Sequence, residues 1–185
     1  MTGRDRLDDA SFRATELAGE QVTIALLAIT LESMGYPTKS YCGWQIPFVT
    51  DSAFTTARVV DVKKEAIMAD LAAGFIVIVA GFQGVDPDGN ITTLGRGGSD
   101  TSAVAVAAVL KADCCEIFTD VDGVYTTDPN ITSKARKLAK IGYEEMLEMA
   151  SLGAKVLYIR AVELAMLYRV PLLVRSSFND NPGTL

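Results

Sequence analysis

Three glycines around one arginine, running into an unbroken stretch of small residues, set the tightest limit on what this chain can become. Thr93-Leu94-Gly95-Arg96-Gly97-Gly98-Ser99-Asp100-Thr101-Ser102 leads into a run of mostly Ala and Val ending at Ala112. Glycine permits φ > 0 and lets a ligand approach the backbone closely. Ser99 suits a helix N-cap and Asp100 a first helical turn. The pattern therefore predicts a helix over Ser99 to Lys111, and its apolar character on most faces predicts burial between layers. Two readings of the loop stay open. Free N–H groups, the positive dipole end and the planar fork of Arg96 together suit an anion. A glycine-rich connection that only starts a buried helix is the other.

The rest of the chain alternates strands and helices. Asp8 or Asp9 can cap a long helix reaching about Met34, with Val22, Ala25, Leu26, Ile29 and Met34 as its apolar stripe. Tyr36 to Cys42 and Ala57 to Val62 predict short strands, with an irregular stretch, Gly43 to Thr56, between them. Lys63 to Ala73 predicts an amphipathic helix stopped by Gly74. Phe75 to Ala80 is a β-branched run expected to be buried on both faces of a parallel sheet. Gly81-Phe82-Gln83-Gly84 leaves its carboxyl end, and Val85 to Asn90 forms a surface turn. Cys114 to Thr119 predicts a further buried strand. Tyr143 to Ser151 and Lys155 to Tyr168 predict helices, and Leu172 to Arg175 a last strand. Such alternation predicts an α/β fold with ligand groups gathered at strand carboxyl ends.

Composition excludes several chemistries. The 185 residues contain no histidine, which removes Ser-His-Asp triads, histidine acid–base work and histidine metal ligation. The net charge of −6 and the lack of a basic run argue against a nucleic-acid surface. No apolar run approaches the ~20 residues of a membrane span, and Met1 to Arg13 lacks the apolar core of a signal peptide. Cys42, Cys114 and Cys115 form no CxxC spacing, so reduced cysteines in the cytoplasm are expected.

Carboxylates, Lys, Arg, hydroxyls and backbone amides must then carry any chemistry. Gly19-Glu20 places a glycine inside the first helix, where it costs about 1 kcal/mol against Ala. Glu20 fits a solvated face or a ligand. Asp120 and Asp122 fit a nucleotide or metal site, or a turn in which they accept backbone N–H groups. Val124 and Ile131 stand where a calcium loop needs oxygen ligands, so an EF-hand is rejected. Lys155 sits at an expected helix start, against the dipole, so a functional role stays open beside that of an ordinary surface lysine.

Four segments together resemble aspartate kinase. They are Phe82-Gln-Gly, Thr92-Thr-Leu-Gly-Arg-Gly-Gly-Ser-Asp-Thr-Ser-Ala, Thr119-Asp-Val-Asp-Gly-Val-Tyr-Thr-Thr-Asp-Pro and Glu145-Met-Leu-Glu-Met-Ala-Ser-Leu-Gly-Ala-Lys-Val-Leu. Their order and spacing extend the resemblance from about Leu17 to Phe178. It implies the amino-acid-kinase fold, a three-layer α/β/α sandwich with a mainly parallel sheet. It implies transfer of the ATP γ-phosphoryl group to the β-carboxylate of L-aspartate, the first step toward lysine, threonine and methionine. Residue by residue, Glu20 would meet the substrate ammonium and Arg96 a substrate carboxylate. Gly97, Gly98 and Ser99 would supply amides and a hydroxyl, and Phe82 would line the pocket. Asp100 would orient the catalytic lysine and the metal-bound phosphates. Thr119, Asp120, Tyr125 and Asn130 would surround ATP, and Lys155 would reach it. Mg²⁺ would arrive mainly on the nucleotide phosphates, with no protein metal site. A homo-oligomer is expected of the full-length protein.

The sequence departs from the family in places. Nothing in it matches the Lys-Phe-Gly-Gly loop whose lysine stabilises the transferring phosphoryl group. Leu17, Phe54, Asn130 and Tyr158-Ile159 replace a usual serine, histidine, arginine and His-Pro pair. The expectation is a single incomplete catalytic domain over 1–185, its N-terminal part and its C-terminal regulatory domains absent, and inactive alone. Two alternatives stay open: another carboxylate or carbamate kinase of the same fold, and a non-catalytic nucleotide-binding partner subunit.

Overall fold

The computed structural model describes residues 3–46, 48–154 and 156–185, and side chains from residue 17 onward. The chain divides into two compact units, Met1–Ser102 and Ala103–Leu185.

The first unit opens with α1 (Gly3–Ser33), followed by β1 (Thr38–Tyr41), β2 (Phe48–Thr50), β3 (Val59–Val62) and α2 (Glu65–Ala72). It continues with β4 (Ile76–Val79), β5 (Gln83–Val85), β6 (Ile91–Thr93) and the first turn of α3 (Gly98–Leu110). β1 and β4 pair in parallel, from Thr38 opposite Ile76 to Tyr41 opposite Val79. Ile24, Ile78 and Ala80 form a small core with Ala28, Leu31 and Cys42. The buried face of α1 is thus Ile24, Ala28 and Leu31, not the expected stripe, since Val22, Leu26 and Ile29 are exposed. This helix is apolar on two faces, and periodicity alone cannot choose between them. It also begins at Gly3, before the expected caps Asp8 and Asp9.

Asp70 of α2 binds both Lys39 Nζ and Tyr41 Oη, pinning that helix onto β1. The β4 run is not buried on both faces: Ile78 is buried, Val77 and Val79 are half-buried and Ile76 is exposed.

A second sheet of the first unit has the order β3-β2-β5-β6. β2 pairs with β5 in parallel, and the β2–β3 and β5–β6 pairs are antiparallel. The Asp86–Asn90 turn closes the β5–β6 hairpin, with Asp86 Oδ1 accepting the N–H groups of Asn90 and Asp88. β2 lies inside the stretch expected to be irregular, and β5 takes Gln83 and Gly84 from the expected loop. Three-residue strands are too short to show an alternating pattern.

The second unit holds the remainder of α3, then β7 (Cys115–Thr119), α4 (Tyr143–Ser151), α5 (Ile159–Tyr168) and β8 (Leu172–Ser176). β7 and β8 pair in parallel from Cys115 opposite Leu172 to Thr119 opposite Ser176. Val104, Ala107, Ile117, Met146, Val162 and Val174 are among the residues of its core. β7 alternates rather than being wholly buried: Cys115 and Ile117 face the core, while Glu116 and Phe118 face solvent. The Glu145 carboxylate accepts the Gly142 N–H at 2.9 Å and so fixes the start of α4. α5 begins at Ile159, four residues after the expected start at Lys155, which lies outside the described residues. Among the described residues, three of the five strand pairings are parallel, in keeping with an α/β architecture.

Candidate active-site residues

In the first unit, the carboxyl end of β4 runs through Gly81 to Phe82, which holds φ at 66°. Bulky residues seldom adopt the left-handed region. Both peptide groups of Phe82 are held. Its N–H donates to Ser102 Oγ at 3.0 Å, and its C=O accepts the Leu94 N–H at 2.9 Å. After β6, Gly95 and Gly97 take φ of 75° and 71°, so the chain can turn sharply around exposed Arg96. α3 begins at Gly98, which places Ser99 inside the first turn rather than at the expected cap. Gly97 C=O accepts the Thr101 N–H at 3.1 Å, the first bond of the helix.

A Cβ at Gly98 would lie 2.9 Å from Phe82 Cδ2 and 2.9 Å from Leu94 Cβ. Phe82 therefore packs on the helix start, and Phe82, Gly97, Gly98 and Ser99 form one locality. Arg96 and Ser99 are exposed there, while Asp100 is half-buried in the same turn. Glu20 stands on a different element, α1. It is half-buried, and burial pushes its carboxyl above the ordinary value.

In the second unit, β7 ends at Thr119, whose hydroxyl donates to Asp120 Oδ1 at 3.1 Å. Beyond it lies a cleft of about 420 Å³ lined by Thr119, Asp120, Tyr125 and Asn130, among others. Met149 of α4 and Val156 supply apolar wall. Four of the five expected nucleotide residues thus share one cavity. The fifth, Lys155, lies outside the described residues, although Ala154 and Val156 both line the cleft.

Asp122 does not line that cleft. It accepts Tyr125 Oη at 2.8 Å, Asn181 Nδ2 at 2.9 Å and Lys137 Nζ at 3.2 Å. The Tyr125 and Asn181 bonds, with help from Lys137, hold its carboxyl below the usual range. Its partners are side chains rather than the backbone N–H groups of a simple turn. Sequence reasoning missed Met149 and the Asp122 partners. Met149 carries no signal beyond an amphipathic helix, and Lys137 and Asn181 are distant along the chain.

Among the described residues no cluster of three or more carboxylates or thiols could hold a metal.

The model of the amino acid kinase family matches residues 4–176. An aspartate kinase of Pseudomonas fluorescens is 64% identical over 167 residues, covering 90% of this chain and 40% of that protein. An aspartokinase of Thermus thermophilus is 54% identical over 177 residues, covering 94% of this chain and 44% of its own length. Escherichia coli aspartokinase III, solved in complex with aspartate and ADP, superposes with a TM-score of 0.82 at 33% identity. That match covers 90% of this chain and 38% of the other. A UMP kinase from Bacillus anthracis shares the fold, with a TM-score of 0.64 at 21% identity over 100% of this chain and 73% of that one. The chain spans about 40% of the length of the Pseudomonas relative.

Proposed function

This chain belongs to the amino acid kinase family, and we propose that it serves ATP-dependent phosphorylation of the L-aspartate β-carboxylate, giving 4-phospho-L-aspartate. The observation that carries the reading is the cleft at the end of β7, where Thr119, Asp120, Tyr125 and Asn130 converge. Its volume and its mixture of apolar wall and few polar groups suit a nucleotide. The similarity to aspartate kinases supports the choice of acceptor. The product is one from which lysine, threonine and methionine can be made. Three cysteines outside any disulfide, Cys42, Cys114 and Cys115, suit a reducing, cytoplasmic setting.

In the reaction, a β-carboxylate oxygen attacks the γ-phosphorus, the bond from phosphorus to the ADP oxygen breaks, and ADP leaves with that electron pair. A carboxylate is already ionised at neutral pH, so no strong general base is needed. Positioning and charge stabilisation do the work. Arg96 would grip a substrate carboxylate through its fork. Glu20 would receive the ammonium, whose charge would draw its raised pKa back down. Phe82 and the Gly97–Ser99 turn would shape the pocket, and Asp100 would orient the phosphate side. Lys155 is proposed to reach the nucleotide. Mg²⁺ on the phosphates would neutralise developing charge.

Calorimetry with ADP, L-aspartate and L-glutamate tests the reading, using this chain and Asp120→Ala. The expected outcome is ADP binding that Asp120→Ala weakens at least roughly ten-fold, the loss of a charge-assisted contact, and preference for L-aspartate. Equal binding of ADP by both proteins would remove the nucleotide assignment.

A further inference from the structure

We propose that Ser102 is a positioning residue for the acid-binding loop, holding Phe82 in its left-handed conformation against the start of α3. This rests on the proposed function above. Ser102 is 3% exposed. Its Oγ accepts the Phe82 N–H at 3.0 Å and donates to the Gly98 C=O at 2.8 Å. One hydroxyl therefore joins two segments of the pocket and uses both its donor and an acceptor position.

Two observations separate this from ordinary packing. Among the described residues, Phe82, Lys111 and Arg169 are the non-glycine residues with positive φ. Lys111 follows the end of α3 and Arg169 caps α5, where left-handed residues end helices as a matter of course. Phe82 lies between two strands and has no such excuse. Backbone strain of this kind collects at ligand sites. Thr101 is the second contrast. Its hydroxyl also bonds the carbonyl four residues back, Gly97, as Ser and Thr in helices commonly do. The Ser102 hydroxyl reaches across to another segment, at the Phe82 N–H.

With the Ser102 hydroxyl gone, the Phe82 N–H loses its acceptor. Phe82 can then relax toward φ < 0, which swings its ring off Gly98 and loosens the pocket wall. Alanine fits the space of serine, so Ser102→Ala is expected to fold.

The experiment compares the unmodified chain with Ser102→Ala in three ways: amide hydrogen exchange at Phe82, L-aspartate affinity and ADP affinity. Removing one hydrogen bond should accelerate Phe82 exchange about ten-fold and weaken L-aspartate roughly three- to ten-fold. ADP affinity should stay unchanged, whereas general damage would lower both affinities. Unchanged L-aspartate affinity in a variant with faster Phe82 exchange would overturn the proposal, as would unchanged exchange. If the unmodified chain binds no L-aspartate, the proposed function fails. Phe82 exchange alone then decides whether Ser102 holds this conformation.

Discussion

The Tyr125 phenol donates to Asp122 Oδ1 at 2.8 Å, so a cleft residue is held by a carboxylate that does not itself line the cleft. The same carboxylate takes Lys137 and Asn181, gathering three segments of the second unit. Asp122→Asn keeps the shape but loses charge and one acceptor. It should lower stability by about 1 kcal/mol at neutral pH, the scale of one or two partly exposed hydrogen bonds. The native carboxyl sits below its ordinary value, so its stabilisation is complete above the unfolded pKa and lost as pH falls through the folded one. The gap between the two proteins should therefore close below about pH 4. Denaturant melts across pH check this; a gap that does not shrink as the pH falls below about 4 would contradict it. The Tyr125 phenol, now raised by Asp122, should also ionise at lower pH in the variant.

Glu20 works in the opposite direction. Burial raises its carboxyl, so the folded state holds its proton more tightly than the unfolded chain. Stability should fall as pH rises from the ordinary glutamate range through the raised value. Glu20→Gln should be more stable than the unmodified chain at pH 7 and equal to it at pH 3. If Glu20 receives the substrate ammonium, the same variant should lose L-aspartate affinity roughly ten-fold or more. Higher stability with intact affinity would leave Glu20 a half-buried carboxylate and nothing else.

These residues also indicate what could be read in advance. α4 falls where expected, Tyr143 to Ser151, because its amphipathic pattern is local. Thr119, Asp120, Tyr125 and Asn130 share a cleft because they fall in one continuous stretch at a strand end. The packing face of α1 was not legible, since Val22, Leu26 and Ile29 make as good a stripe as Ile24, Ala28 and Leu31. Only the position of β1 and β4 decides between them. Asp122 was noticed, but its partners Lys137 and Asn181 are supplied by the fold. Ser102 was hidden in a helix whose small residues pointed only to burial.

Gly98→Ala sets two effects against each other. An alanine inside a helix is favoured over glycine by about 1 kcal/mol. Here the new Cβ would stand 2.9 Å from Leu94 Cβ and from Phe82 Cδ2. Leu94 Cβ is the root of a buried side chain, and Phe82 is tethered at both peptide groups, so neither can yield cheaply. Overpacking of this kind costs about 1–3 kcal/mol, and the net change should be destabilising. L-Aspartate affinity should fall with it, because Phe82 must move. A thermal melt checks the first claim and calorimetry the second. A rise in melting temperature would mean that helix propensity wins and the contact is soft.

Asn130 offers a test by gain. Its backbone N–H donates to Asp128 Oδ1 at 2.8 Å, which shapes the turn, and the residue is exposed on the cleft wall. The backbone bond does not depend on its side chain. Asn130→Arg should therefore keep the turn and add a guanidinium within reach of a phosphate, the arginine that the family resemblance leads one to expect there. An exposed charge contact contributes well under a buried one, so ADP affinity should rise only about three- to ten-fold. The gain should shrink as salt rises from 50 to 500 mM, since mobile ions screen an exposed pair (Debye length ~10 Å at 0.1 M). AMP and adenosine, with fewer phosphates, should gain less than ADP or nothing. A gain shared equally by adenosine would place residue 130 on the base side of the cleft. No gain with any nucleotide would mean that phosphates lie elsewhere.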